Sequence, residues 1–442
     1  MKKNNIHNKF IIFLLFILTI TIIWSLYKEN IYNKRISLYE AITKLNNDIK
    51  ENLHKELAIE EMKNIHENKL SDKEKFMLRS DKEKLEDLYN KLSLKEKVGQ
   101  LFIVGHKGEK LDNRAISFIK DRHIGGFALF RKNAKSIEQL YGMIMMMQRE
   151  SLEKENGIPL FIAGDNEPGK RWMSMSRLID AVPVSNKIPD LYSPEEAESE
   201  FISLAENLKY LGYNVDFAPV LDVNTNPDNP IIGDRAFSSN TDVVISYSQK
   251  FIEAFKESGV ITTAKHFPGH GDTGEDSHKT LPHIEHNLER LNQVELAPFK
   301  NAIKQNIDMI MTAHIIYDEL DPEYPATLSS KILTDLLRDK LGYEGVVITD
   351  DMYMRAILNN YDQKKAVVDA INAGADIILC VQIYKNLNSN EELYDAVLKA
   401  VKEGGISEDR LREAVLRVLK LKAKNPILSN IWGEANPLYN NR

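Results

Sequence analysis

Fourteen residues from Lys265 to His278 (KHFPGHGDTGEDSH) gather one lysine, three histidines and three acidic side chains. Two kinds of chemistry suit such a cluster: proton transfer and metal ligation. Asp276 and His278 are two residues apart, so a turn can bring the carboxylate against one imidazole nitrogen, fixing its tautomer and raising its basicity. The other nitrogen is then free to give or take a proton. This is the orienting logic of the catalytic triad without its serine. A second reactive group stands in Val346-Val-Ile-Thr-Asp-Asp-Met352, where Asp350 closely follows three residues that favour burial. A carboxylate held there has little freedom and can serve as a nucleophile. Its neighbour Asp351 has a plainer reading, as a cap of the following helix.

Metal ligation is the weaker account. His266, His270, Asp272 and His278 are ligand types, but Pro268 and the glycines around it break the helix that an i, i+4 histidine pair needs. The single cysteine, Cys380, excludes a disulfide framework and a cysteine-based zinc cluster. We therefore assign no metal and no cofactor, and give His270 and Asp272 the job of shaping the loop.

These groups need elements to hold them. Eight apolar, β-prone runs recur along the chain: Leu101–Val104, Gly126–Phe130, Leu160–Ala163, Val215–Leu221, Val260–Ala264, Met309–Ala313, Gly345–Ile348 and Asp376–Cys380. Helical patterns separate them. Eight such units over some 340 residues predict a (β/α)8 barrel rather than an open doubly wound sheet. Just past the runs stand Asp165 and Glu167, Asp222, Lys265 and His266, His314, and Asp350 with Asp351. Active sites of barrels lie at the C-terminal ends of the strands, so these residues are expected to converge on one mouth.

The chain of 442 residues is 43% hydrophobic and 28% charged, with a formal charge of -7. That is an ordinary globular composition, and without a basic surface block nucleic acid is not an expected partner. Phe10 to Leu26 is an uncharged apolar run after Lys2, Lys3 and Lys9, about the shortest length that spans a membrane. We read residues 1–26 as an uncleaved signal anchor in the cell membrane, with a cleaved signal peptide and secretion as the alternative. Either places the catalytic part outside the cytoplasm. Residues 27–84 carry Leu38, Ile42, Leu45, Ile49, Leu53 and Leu57 at three-to-four spacing, as one helical stripe. The stripe drifts from a strict heptad, which favours a solvated stalk over a coiled coil that pairs with a partner. The barrel is expected over 85–428 and a short tail over 429–442.

The string Lys265-His-Phe-Pro-Gly-His-Gly-Asp-Thr273 followed by Asp276-Ser-His278, with Ile348-Thr-Asp-Asp-Met352 on a later strand, closely resembles bacterial β-N-acetylglucosaminidases of glycoside hydrolase family 3. The similarity runs through Leu92-Ser-Leu-Lys-Glu-Lys-Val-Gly-Gln100, Gly125-Gly-Phe-Ala-Leu-Phe130, Gly233-Asp-Arg-Ala-Phe237 and Ala373-Gly-Ala-Asp-Ile-Ile378. It covers essentially the whole barrel. The resemblance implies a retaining mechanism on carbohydrate, with Asp350 as nucleophile and His278 as acid/base oriented by Asp276. It also implies sugar contacts from Asp165, Arg235, Lys265 and His266. For Arg235 an ion pair with Asp234 or another loop acid is the plain alternative. One departure stands out: the family usually reads Asp-Gln-Glu-Gly-Gly-Arg-Val where this chain has Asp165-Asn-Glu-Pro-Gly-Lys-Arg171. Pro168 removes a backbone donor and fixes φ where glycine is usual.

The activity so implied is hydrolysis of terminal, non-reducing β-linked N-acetylglucosamine, with peptidoglycan fragments as the natural source. Phosphorolysis is one alternative, since a histidine does not repel incoming phosphate as a carboxylate would. A sugar-binding module that has lost catalysis is the other. The glycines at 269, 271 and 274 further predict a mobile acid/base loop.

Overall fold

The computed structural model describes residues 81–154, 156–381 and 389–429. The apolar run Phe10–Leu26, the expected stalk up to residue 80 and the tail from 430 lie outside the described residues. Among the described residues no helix is long and apolar enough to cross a membrane.

Eight strands form one sheet: β1 (Phe102–Gly105), β2 (Gly126–Ala128), β3 (Phe161–Gly164), β4 (Val215–Asp216), β5 (Ile261–Phe267), β6 (Met309–Thr312), β7 (Val346–Ile348) and β8 (Ile378–Cys380). Each pairs in parallel with its neighbours in chain order, and β8 pairs with β1. A parallel bridge between Ile348 and Ile377 closes the ring. The (β/α)8 barrel expected from the eight apolar runs is therefore present, and each run overlaps one strand. The largest difference is at Val215–Leu221, where the ladder ends at Asp216 and resumes only as a bridge from Val220 to Lys265.

Strand geometry decides what reaches the mouth. Side chains alternate between the two faces of a strand, so positions two apart share a face. Phe161 and Ala163, Ile261, Met309 and Met311, Val346 and Ile348 pack together inside the barrel. Ile162, Ala264, Ile310 and Val347 belong to the larger cluster between sheet and helices. Stepping by two along the inner face brings β3 to Asp165, β5 to Lys265 and β7 to Asp350. Each buried aliphatic side chain below them contributes about 1.5–3 kcal/mol, and that packing fixes the direction of the polar residue above.

The helices are built by ordinary rules. Thr241–Ser258, which leads into β5, is capped by Asn240, whose side chain accepts from the backbone of Asp242 and Val243, and stopped by Gly259 at φ 81°. It buries Val244, Tyr247, Phe251, Ile252 and Phe255 on the stripe that faces the barrel.

The seam between β7 and β8 combines backbone bonds, among them Thr349 N–H to the Ile377 carbonyl and Met352 N–H to the Leu379 carbonyl at 3.0 Å each, with bonds to side chains. The backbone N–H of Val347 donates to Asp376 Oδ2 at 3.0 Å, that of Leu379 to Thr349 Oγ1 at 3.0 Å, and that of Val381 to Asp351 Oδ1 at 2.9 Å. Asp376 is itself held by Arg338, Arg410 and Arg417 at 2.6, 2.9 and 3.1 Å.

The lower end is closed by the helix Glu408–Lys424. Val418, Leu421 and, beyond the helix, Leu428 join the inner cluster. Lys422 is fully buried, donates to Gln100 Oε1 and to the Gly125 carbonyl at 2.8 Å each, and lies 4.6 Å from the Phe161 ring centre. Burial pushes its ammonium well below the usual lysine range. The helix Asp81–Lys91 crosses the expected boundary at 84/85 and ties to the same element, with Tyr89 Oη donating to Glu408 Oε1 at 3.0 Å.

Replacing Lys422 by Ala removes a packed stem and leaves two buried acceptors unmatched. We expect a loss of about 2–4 kcal/mol in denaturant unfolding, with Lys422→Met, which keeps the stem, losing less.

Candidate active site

Four charged groups meet at the ends of β3 and β5. The Lys265 ammonium lies 2.8 Å from Asp165 Oδ1 and 2.6 Å from Glu167 Oε1. Glu167 also receives Arg235 in a two-pronged pair, Nε to Oε2 at 2.8 Å and Nη2 to Oε1 at 2.6 Å. Two carboxylates and two cations make the network neutral, which is what allows it to be buried. The Lys265 and Glu167 side chains are only 2% and 3% exposed, whereas Asp165 is 40% exposed. Asp165 is thus the member open to solvent at the mouth. Burial alone would raise the Glu167 carboxyl, but the Arg235 and Lys265 charges hold it far below the usual range.

The acid chosen by Arg235 is Glu167. Asp234 instead accepts from Trp172 Nε1 at 2.9 Å, and the Arg235 guanidinium carbon lies 5.3 Å from the Trp172 ring centre. Pro168 leaves the placement of Asp165 intact. Gly169 takes φ 105° and donates to the Val182 carbonyl at 3.1 Å, and the chain returns so that the Ser174 N–H donates to the Asp165 carbonyl at 2.8 Å.

A second hub is Asp222. Its Oδ2 lies 2.7 Å from His266 Nδ1, and its Oδ1 accepts the backbone N–H groups of His266 and His270 at 3.2 and 2.6 Å. The His270 imidazole is enclosed, Nε2 to Ser277 Oγ and Nδ1 to Thr273 Oγ1, both 2.9 Å. Burial pushes it down to about 4, so it is neutral at physiological pH. Asp272 holds Thr225 and His286. His270 and Asp272 therefore shape the loop, as their positions suggested. The four histidine and aspartate side chains considered as ligands engage separate partners.

The loop is tied down at its base. Gly269 adopts φ 143°, and a Cβ on Gly271 would sit 1.9 Å from the Val223 carbonyl oxygen. Gly271 thus allows close packing against the β4 loop, and Gly269 lies against Glu295. Only Gly274 stands in open space. Beyond it the Asp276 carboxylate accepts from the His278 backbone at 2.9 Å and meets His278 Nδ1 at 3.0 Å, with Lys279 3.2 Å from its other oxygen. The His278 side chain is 47% exposed, which leaves Nε2 available to a ligand.

Asp350 crowns β7, and the Asp351 N–H donates to its Oδ1 at 2.7 Å. Burial would raise its carboxyl; the nearby His266, His314 and His278 outweigh that and keep it low. The same field brings the three histidines, from β5, β6 and the acid/base loop, to one carboxylate. Asp351 does not cap a helix: the helix Arg355–Leu358 starts after Met354. Its Oδ1 accepts instead from Tyr353 and Val381.

All seven residues singled out from sequence stand at this mouth or on its loops. Asp165, Lys265 and Arg235 share one network, His266 adjoins Asp350, and Asp276 holds His278. The reading from sequence gave no part to Glu167, Asp222, Ser277 or His314 as supports. Glu167 and Asp222 follow strand ends, but their partners, 68 and 44 positions away, are not visible in spacing.

The region 93–421 matches the family model described as "Glycosyl hydrolase family 3 N terminal domain". The chain belongs to glycosyl hydrolase family 3. It is 35% identical over 340 residues to "Beta-hexosaminidase A" of Pseudoalteromonas piscicida, covering 72% of this chain and 56% of that protein. A "Beta-hexosaminidase" of Idiomarina loihiensis is 35% identical over 260 residues, 58% of this chain and 76% of its own. Among solved structures, a family 3 β-N-acetylglucosaminidase from Paenibacillus sp. FPU-7 superposes with a TM-score of 0.71 at 38% identity, covering 76% of this chain and 63% of that one. A β-N-acetylhexosaminidase from Beutenbergia cavernae gives 0.69 at 27% identity, covering 74% and 98%. This family 3 chain thus spans little more than half of the Pseudoalteromonas protein and nearly all of the Beutenbergia chain.

Glu167→Gln leaves the buried Lys265 and Arg235 charges with one carboxylate. We expect a loss of about 3–5 kcal/mol by chemical denaturation at neutral pH. Because the folded carboxyl titrates far below its ordinary value of 4.5, its contribution is complete above that pH. The gap between wild type and variant should narrow as pH falls below it. Gly271→Ala should lower the melting temperature sharply, whereas Gly274→Ala should leave it within a few degrees.

Proposed function

We propose that this family 3 chain hydrolyses terminal, non-reducing β-linked N-acetylglucosamine with retention of configuration. The observation that carries the reading is a buried carboxylate, Asp350, kept ionised by three histidines at the same mouth as an exposed imidazole held by Asp276. The names of the relatives and of the solved neighbours point to the same substrate class.

In this reading Asp350 attacks the anomeric carbon while His278 Nε2 protonates the departing oxygen, and a glycosyl-enzyme forms on Asp350. His278, now neutral, takes a proton from the water that releases the sugar. Asp276 holds the imidazole through Nδ1 and stabilises its cation in the first step. The usual carboxylate acid/base is replaced by imidazole, which carries no negative charge toward the incoming nucleophile. Asp165, with Lys265 behind it, and His266 would hold ring hydroxyls, and charged hydrogen bonds of this kind strengthen as the ring flattens. Arg235 would act mainly by holding Glu167 against Lys265.

The apolar run at Phe10–Leu26 supports a membrane-anchored enzyme acting outside the cytoplasm, where peptidoglycan-derived saccharides are the available substrates. The uncharged imidazole also favours phosphorolysis as a second reading.

The test is release of nitrophenol from the β-N-acetylglucosaminide. Asp350→Ala should lower kcat on the order of 10⁴-fold and His278→Ala about 10²–10⁴-fold. Free β-configured N-acetylglucosamine is the expected first product. A glycosyl phosphate as main product in phosphate buffer would replace hydrolysis by phosphorolysis, and unchanged activity in Asp350→Ala would remove the nucleophile assignment.

A further inference from the structure

The nucleophile lies beside a seam of the barrel that backbone pairing alone does not close. Strand β7 ends at Ile348, and the bridge from Ile348 to Ile377 is the last paired step. Above it the N–H groups of Leu379 and Val381 on the β8 side find no carbonyl across the gap and are received by Thr349 Oγ1 and Asp351 Oδ1. Asp350 stands between these two residues.

Asp351 makes five hydrogen bonds, one of them local, from the Met354 N–H to its carbonyl at 2.9 Å. Its N–H donates to Asp350 Oδ1 at 2.7 Å. Its carbonyl meets His314 Nε2 at 3.2 Å, on the imidazole that Thr327 Oγ1 fixes from the other side at 2.7 Å. Its carboxyl Oδ1 accepts from Val381 at 2.9 Å and from Tyr353 at 3.3 Å. The two peptide groups that flank the Asp351 Cα thus set the rotation of the Asp350 carboxylate and the position of His314, and the side chain on that Cα ties them to β8.

We propose that Asp351 is a positioning residue, which aligns Asp350 and His314 by clamping the backbone on either side of its Cα to β8. In this role its carboxyl acts in the uncharged form. The proposal rests on Asp350 being the nucleophile. An acceptor at Oδ1 is all that the clamp requires, and a second negative charge beside Asp350 would oppose the ionisation of Asp350. Its surroundings favour the neutral form. Burial, with repulsion from Asp350 and Asp165, outweighs the two N–H donors and pushes the Asp351 carboxyl up to about 7. The other ionisable groups in its field are Lys132 beyond β2, Cys380 on β8 and Tyr353. Lys132, the only cation among them, is itself lowered chiefly by burial.

Two variants separate clamp from charge. Asp351→Asn keeps the acceptor and removes the ionisation; Asp351→Ala removes both. With the nitrophenyl β-N-acetylglucosaminide at pH 6, Asp351→Ala should lose about tenfold or more in kcat with KM within about twofold, while Asp351→Asn stays within about threefold of wild type in both. Equal losses in the two variants, or a wild-type kcat in Asp351→Ala, would overturn the proposal.

The second measurement needs no activity. A carboxyl whose folded value lies above its ordinary value of 3.8 favours folding below that value and loses the advantage as pH rises toward 7. The melting temperature of Asp351→Asn relative to wild type should therefore climb between about pH 4 and 7 and level off above. A difference that stays flat across this range means that the carboxyl is not held neutral, and the proposal fails. If Asp351→Ala does not fold, the Asn variant and its melting curve decide alone. If wild type and Asp350→Ala are equally inactive on every hexosaminide, the functional reading fails by itself, and the melting series still tests the clamp.

Discussion

A lysine ammonium taken out of water at the tip of β5 is the constraint around which this mouth is arranged. Lys265 reaches its place because the inner face of the strand leads there, and once there it cannot stand alone: an unpaired buried charge costs several kcal/mol. Glu167 and Asp165 from β3 neutralise it, and Glu167 in turn brings in Arg235 from the loop after β4. The need for charge balance thus couples three consecutive barrel units. It also leaves one carboxylate, Asp165, half open to solvent and with lone pairs to spare, so the same balance that stabilises the fold presents an acceptor to a ligand.

How much of this was legible in the sequence depends on the range of the signal. The strands were readable because burial on both faces makes parallel strands continuous apolar runs, and the turn to charged residues marks where each one leaves the sheet. Asp350 and the Asp276–His278 pair were readable because their meaning is local: a carboxylate behind a buried strand, and two groups on one turn. Glu167, Asp222 and His314 were visible as polar residues at strand ends but not as partners of particular side chains, because those partners meet only when the ring closes. Asp351 was misread for a related reason. An acidic residue between strand and helix has a local explanation as a cap, and the competing demand, an unpaired N–H at Val381 on another strand, leaves no trace nearby in the chain. For Gly269 and Gly271 the sequence does not distinguish close packing from hinge motion, because both call for the same residue.

The two halves of the His-rich segment differ in how firmly they are held. The first half, through Asp272, is fixed to Asp222, Thr225 and Val223, and glycines there allow backbone to lie against backbone. The second half carries an exposed imidazole and depends on Ser277, whose hydroxyl meets His270 and whose carbonyl accepts from Ala356 at 3.3 Å. Ser277 therefore links the acid/base loop to the segment following Asp350. In the proposed mechanism the group that approaches the sugar oxygen and then withdraws is carried on the second half, and the groups proposed to hold the sugar ring on the first.

The floor of the barrel has a consequence for how the molecule comes to be made. Val418, Leu421, Lys422 and Leu428 seal the lower end, and β8 must arrive before β1 has its second neighbour. A ribosome delivers these segments after seven strands have already emerged. Until then the nascent chain carries an open sheet with two bare edges and a buried interior without a base. Such an intermediate leaves the edges of β1 and β7 unpaired, and unpaired edges are where another chain can add a strand. Completion of the fold thus waits on a short stretch far from the chemistry, and the last helix acts as the keystone of synthesis as well as of the finished structure.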